Sequence, residues 1–321
     1  MRSWFNGSIV ATALAAAALT AIISMSVTRT AGQTTRQART PNGTPNLSGV
    51  WQTLNEANWD LQAHEARSGM VTQRGVYDYE YARVPAAPVV ALGAAAGVPG
   101  SLGVVQGDGQ IPYKPEAAAI KTENSENWID RDPELKCYLP GVPRAMYMPY
   151  PFAIVQGTDK IHMTYAFSNA GRVIHMNKVT GPPDDTYMGH SVGRWEKDTL
   201  VVDVTNFNGR NWFDRAGNFH SDALHLVERY SPISADAIRY EVTIEDPKVF
   251  TRPWTIAMPL YRRLEPNATV IDYPCMEFSE EFMYGHLRKQ QLVKRWEGET
   301  IIVDITRKIP PGDRLHDWYR R

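Results

Sequence analysis

Cysteine is almost missing from this chain: two residues, Cys137 and Cys275, in 321. An all-thiolate zinc site is therefore excluded, as is haem attachment through Cys-x-x-Cys-His. Charge of one sign is also missing. Lys and Arg total 34 against 35 Asp and Glu, a formal net charge of -1. No strong field is available to draw a polyanion, so no nucleic acid partner is expected. No apolar run reaches the ~20 residues of a membrane span. The longest, Ile9 to Ile23, follows Arg2 and precedes Ser24-Met25-Ser26. That order predicts a signal peptide over residues 1–26 and a periplasmic or secreted protein with no stable membrane insertion after cleavage. The alternative is an uncleaved anchor.

Several chemistries lack their signatures. There is no Gly-x-Ser-x-Gly, no Gly-x-x-x-x-Gly-Lys-Ser/Thr, no Gly-x-Gly-x-x-Gly opening a helix and no His-Glu-x-x-His. Standard serine hydrolases, nucleotide and nicotinamide cofactors and zincin-type metal sites are disfavoured, and no cofactor or metal is expected. Hydrophobic residues make up 43% and charged residues 21%, with mean hydropathy -0.37. This is the balance of a folded chain with a sizeable core.

What is present is a strand-forming pattern. After a polar leader at 27–45, residues 46–150 read as a loop-rich segment that wraps the rest. It holds a strand-like entry at Asn46–Trp51 and a helix-like stretch from Asn55 to Arg67. A Gly/Ala/Val/Pro-rich surface excursion at 84–110 follows, then a short helix starting at Pro115. Residues 151–321 read as strand, turn, strand. Phe152 to Gln156 and Ile161 to Phe167 flank Gly157-Thr158-Asp159. Leu224 to Tyr230 and Ile238 to Ile244 form a second pair. Val192 to Thr205 recurs as Val293 to Thr306 with eight of 14 positions identical, and Arg263 to Asp272 is a looser copy. Each copy reads as one hairpin: Trp195 or Trp296 ends the incoming strand, and Asp203 or Asp304 has a structural task near the end of the outgoing one. About ten strands in successive hairpins predict a mainly β fold. An antiparallel meander curled into a barrel or a strongly bent sheet suits them, with a propeller as runner-up. Cys137 and Cys275 form either one disulfide across 138 residues or two buried thiols.

The long motifs Met188-Gly-His-Ser-Val-Gly-Arg-Trp-Glu-Lys-Asp-Thr-Leu-Val-Val-Asp203, Asp132 to Arg144, His220-Ser-Asp-Ala-Leu-His225 and Thr243 to Pro247 resemble a large family of exported bacterial proteins. The resemblance covers most of the mature chain and implies a compartment rather than an activity. Asn177-Lys178-Val179 stands where members of that family carry Asp-Gly-Arg. The hairpin meander also looks lipocalin-like, an analogy of fold alone.

Polar and aromatic side chains concentrate at 187–228. Histidine titrates near neutral pH, and an adjacent carboxylate fixes its tautomer. His190 and His220 are the first candidates for acid–base catalysis, with Asp214 and Glu228 as partner carboxylates. Arg144, Tyr147, Tyr187 and Trp212 are candidate substrate-binding residues. For Arg144 the alternatives are an anion clamp and a wrapping segment tied down through Cys137. His220 and His225, five apart, project apart on a strand or a helix, which speaks against a metal. Met146, Met148, Met163, Met176 and Met188 either line a cavity or fill core gaps. The functional expectation is a cofactor-independent lyase, hydratase, isomerase or hydrolase acting on a small organic molecule. The alternatives are a carrier for a hydrophobic small molecule and an envelope structural protein.

Overall fold

The computed structural model describes residues 38–68, 70–73, 82–85, 97–98, 100–177, 180–182, 184–276, 293–297 and 300–304. The signal peptide, most of the leader, much of the 84–110 excursion, and Lys178 and Val179 lie outside the described residues. The fold is a closed nine-stranded barrel. Its strands are β1 (Gly49–Gln52), β2 (Phe152–Gln156), β3 (Lys160–Tyr165), β4 (Gly171–His175), β5 (His190–Glu196), β6 (Thr199–Thr205), β7 (His225–Ser234), β8 (Ala237–Glu245) and β9 (Trp254–Arg262). The mainly β barrel expected from the sequence is therefore the architecture found. One strand comes from the N-terminal segment: β1 pairs with both β2 and β9 and closes the ring.

Period-two burial explains why these segments are strands. Along β3, Ile161, Met163 and Tyr165 are buried while Lys160, His162 and Thr164 are exposed. Along β8, Ile238, Tyr240, Val242 and Ile244 are all buried. Alternation at this period presents one apolar face to the interior of a small barrel, where side chains fill the space. The two strong repeat copies are hairpins in the same register: Trp195 pairs with Leu200 in β5–β6, and Trp296 pairs with Ile301 in the hairpin Val293–Glu297/Thr300–Asp304.

Three expectations are corrected. The meander is not antiparallel throughout. Ile174 and His175 of β4 pair in parallel with Ser191 and Val192 of β5. A parallel pair needs a crossover instead of a tight turn, and residues 176–189 supply it. The stretch 55–67 is not a helix: Asn55 Oδ1 accepts the Ala57 N–H, Asp60 Oδ1 accepts that of Gln62, and Leu61 N–H is drawn to Asp214. These side-chain turns take the donors that a helix would need. The loose copy at 263–272 is not a hairpin. Glu265–Ala268 makes a turn, and Phe167 then forms a parallel bridge with Tyr273.

The predicted short helix is α1 (Pro115–Glu126), with Pro at its start. Residues 132–148 plug the barrel. Met146 Sδ lies 3.4 Å from Tyr165 Oη and 3.7 Å from Tyr230 Oη. Cys137 is bonded to Cys275, which ties this plug to the strap that follows β9. Met146, Met148, Met163 and Met188 are buried; the first three fill core gaps, while Met188 also lines a cleft in the barrel wall. Replacing both cysteines by serine is expected to lower stability by up to about 5 kcal/mol, from the freed 138-residue loop. Urea denaturation of the variant against the parent checks this; equal midpoints and slopes would contradict it.

Candidate functional site

A cleft of about 550 Å³ opens in the barrel wall beside the parallel β4–β5 pair. The pairing there covers only two residue pairs. The chain before β5 is lifted away at Gly189, whose φ of +68° admits glycine readily and whose added Cβ would meet Val204 and Phe207 within 3 Å. Residues from both faces of the wall line the cleft, although the side chains of the inner-face residues are almost wholly buried. From the outer face come His175, Val173, His190 and, on the connection, Asp185, Thr186 and Tyr187. From the inner face come Arg172 and Ser191. Leu139 and Asn208 complete the rim.

The ring centroids of His175 and His190 are 5.4 Å apart. Desolvation, with the His190 ring and then Lys160 and His162 adding repulsion, holds His175 below the usual histidine range. It is therefore neutral near pH 7, the state that can accept a proton. Behind the pair, Arg172 lies in the barrel interior. Its Nε donates to Ser191 Oγ at 2.8 Å, and its two terminal nitrogens bind the two oxygens of Glu228. Tyr230 and Tyr240 also donate to Glu228, at 3.0 and 2.7 Å. The four donated bonds satisfy the buried carboxylate, and it has no route to the cleft except through Arg172.

Of the residues the sequence singled out, the structure brings His190, Tyr187 and Met188 to this cleft. Glu228 stands behind it as the partner of Arg172. The others are elsewhere. His220 is 3% exposed, wedged beside Phe207 and Phe213. Its Nδ1 lies 2.9 Å from the Ser221 carbonyl and its Nε2 2.7 Å from Asn211 Oδ1, so no ring nitrogen is left for a substrate. Asp214 is fully buried and accepts from the backbone N–H groups of Leu61, Ala216 and Asn218 and from Asn218 Nδ2. Burial pushes its pKa up to about 7, yet its task is to join residues 58–61 to 213–218. Arg144 is not a clamp for a soluble anion. Its guanidinium is spent on Asp132, Glu134 and Asn58, with Arg215 as the second cation on Glu134. Tyr147 donates to the Phe213 carbonyl from a fully buried position. Trp212 is buried and bridges to Phe219.

Sequence reasoning missed Arg172, His175 and Ser191. Arg172 carries a readable signal: a charged residue in the inward phase of a strand whose other inward residue is Ile174. His175 carried none until the fold placed it beside His190.

His225, set aside as a metal ligand, forms a triad on the outer face. Its Nε2 meets Asp203 at 3.0 Å and its Nδ1 meets Glu245 at 3.3 Å. Asp203 thus has a structural partner, mid-strand on β6 rather than where the strand leaves the sheet. Among the described residues no group of three His, Cys, Asp or Glu could hold a metal ion, and no helix is long and apolar enough to cross a membrane. Comparisons with protein-family models, with curated proteins and with solved structures find no match.

Two outcomes follow. Arg144→Met leaves Asp132 and Glu134 with one fewer buried cation and is expected to cost about 3–5 kcal/mol in urea denaturation; a loss under about 1 kcal/mol would contradict the assignment. Desolvation opposes protonation of His225, but its two carboxylates outweigh it and raise the pKa above the usual histidine range. The stabilisation is complete below the unfolded pKa and fades as pH rises through the folded one. The melting temperature is therefore expected to lose part of its decline between about pH 6 and 8 in Asp203→Asn/Glu245→Gln. An unchanged profile would rule the triad out.

Proposed function

We propose that this chain is a periplasmic or secreted, cofactor-independent acid–base enzyme that transforms a small organic molecule in the β4–β5 cleft. The observation that carries the reading is the His175–His190 pair, 5.4 Å apart in a cleft of about 550 Å³. Desolvation and the nearby His190 ring keep His175 below the usual histidine range, in its proton-accepting form. His175 is the base, and His190, beside it on the outer face of the barrel wall, is the proton donor. Lyase, hydratase and isomerase chemistry can each use a base and a proton donor set side by side against one substrate. The disulfide between Cys137 and Cys275 supports an oxidising compartment, in keeping with the signal read at residues 1–26.

The carrier reading draws less support. It needs a large apolar cavity, and the barrel interior is filled by Phe152, Met163, Tyr165, Tyr230 and Tyr240. The envelope-structural reading leaves the histidine pair without a task.

The test is proton exchange and turnover in deuterated water. A panel of small carbonyl, hydroxy and unsaturated compounds, each offered in a neutral and a carboxylate form, is followed by NMR. At least one compound is expected to exchange or react. The double variant His175→Ala/His190→Ala should lose about 10²–10⁴-fold of that rate while keeping its melting temperature. Equal rates in parent and variant, or an inert parent, would refute the proposal.

A further inference from the structure

One exposed aromatic side chain stands beside the cleft. Tyr138 is 46% exposed, and its ring centroid lies 5.6 Å from that of Tyr187, with the planes tilted by 45°. The backbone holds it there. Cys137 has a φ of +59° and is bonded to Cys275, and the Tyr138 N–H donates to the Pro133 carbonyl at 3.0 Å. The next residue, Leu139, lines the cleft together with Tyr187, Val173 and Met188. These side chains make one side of the opening apolar and partly aromatic. Polar groups of the rim are engaged with their neighbours. Asp185 accepts from Asn206 Nδ2 at 3.3 Å, and Asn208 Oδ1 accepts the Arg210 N–H at 3.1 Å. The imidazoles of His175 and His190 stand on the same outer face of the wall. An apolar side with few polar points suits a ring with a single polar substituent. It suits a sugar less well, because each of several hydroxyls would need a partner.

We infer that the cleft takes a phenolic ring, laid against Tyr187 and Leu139 with its hydroxyl toward His175, and that Tyr138 covers the ring's outer edge as a specificity residue. The inference rests on reading this cleft as the working site, and it names the substrate class. An aromatic ring carries a negative face and a positive edge. It can therefore meet Tyr138 and Tyr187 in the offset or edge-to-face arrangements that such pairs prefer, with centroids about 4.5–7 Å apart. The Met188 sulfur adds a polarizable contact at a ring edge. The phenolic O–H donates to His175, which desolvation keeps in its accepting form. A saturated alcohol offers the same O–H without the π faces, and a methoxy ring offers the faces without the O–H. Arg172 and Ser191 are buried behind the wall and spent on each other and on Glu228, so they take no part.

Phenol, cyclohexanol and anisole are the probes. Phenol and cyclohexanol share a hydroxyl and differ in aromaticity; phenol and anisole share a ring and differ in the donor. Each is titrated into the full chain at about pH 7.5, with the histidine imidazoles followed by NMR. Phenol is expected to bind about tenfold more tightly than either of the others and to shift the His175 and His190 resonances. Tyr138→Leu, a change at an exposed position, is expected to weaken phenol about three- to tenfold and leave cyclohexanol unchanged, while Tyr138→Phe keeps the parent's affinity. His175→Ala should bring phenol down to the anisole value and leave anisole unchanged. All three variants should keep the parent's melting temperature. Equal binding of phenol and cyclohexanol, no binding of either, phenol binding that leaves both histidine resonances in place, or full phenol affinity in Tyr138→Leu overturns the inference. Phenol binding at the cleft with no turnover in the panel above overturns the enzyme reading and leaves this one standing. Turnover confined to compounds without a ring, with no phenol preference, does the reverse.

Discussion

Arg172 and Glu228 meet inside the barrel, both essentially excluded from water. An ion pair there is tolerable only when every other donor and acceptor is also satisfied. Tyr230 and Tyr240 supply two hydroxyls to the carboxylate, and Ser191 takes the remaining edge of the guanidinium. Burial raises the pKa of both tyrosines, so they remain donors at any working pH. The pair reaches from β4 to β7, and its Ser191 bond reaches β5. It therefore crosses one of the two thinnest pairings in the wall, the other being β1–β9.

The pairing it crosses is the parallel β4–β5 seam. The other neighbouring strands pair antiparallel, over two residue pairs at β1–β9 and three to nine elsewhere, while the seam is parallel, with two residue pairs and a crossover. A ring closed by so short a ladder leaves backbone and side chains exposed next to it, and the cleft is that exposure. The Gly189 to Gly193 motif follows from the same geometry. Gly189 turns the chain in against Phe207. Ser191 faces in toward Arg172, and His190 faces out into the cleft. Gly193 leaves room for Ile174 and Met176. One short stretch thus shapes the entry of the cleft, places His190 in it and sends Ser191 inward to the buried pair.

Much of the fold was legible because strand patterning is a period-two signal and the duplicated hairpin repeats its register. The β2–β3 and β7–β8 pairs and the start of α1 were readable from local pattern, whereas the sequence left Cys137 and Cys275 open between one disulfide and two thiols until the structure joined them. What was not legible is informative. Residues 55–67 carry helix-like spacing, but Asn55 and Asp60 capture backbone donors locally and Asp214 takes the Leu61 N–H. The crossover before β5 depends on long-range closure, which no local pattern encodes. At the site, a cluster of histidines and carboxylates in sequence was divided by the barrel wall. His190 went outward to His175, His220 went into a packed corner, and Glu228 went to the interior. Residue type pointed to the region, and strand phase decided the roles.

The account turns on the buried pair holding the seam, and a double-mutant cycle on Arg172→Met and Glu228→Gln tests it most directly. Stability is read by urea denaturation, and local opening by amide exchange in β4 and β5. Each single variant is expected to lose about 3–5 kcal/mol, because it strands the other partner. The double variant should lose clearly less than the sum of the two. Exchange should quicken first at Ser191 and Val192, ahead of β7 and β8. Single losses under about 1 kcal/mol, additive losses, or exchange that rises evenly around the barrel would contradict it.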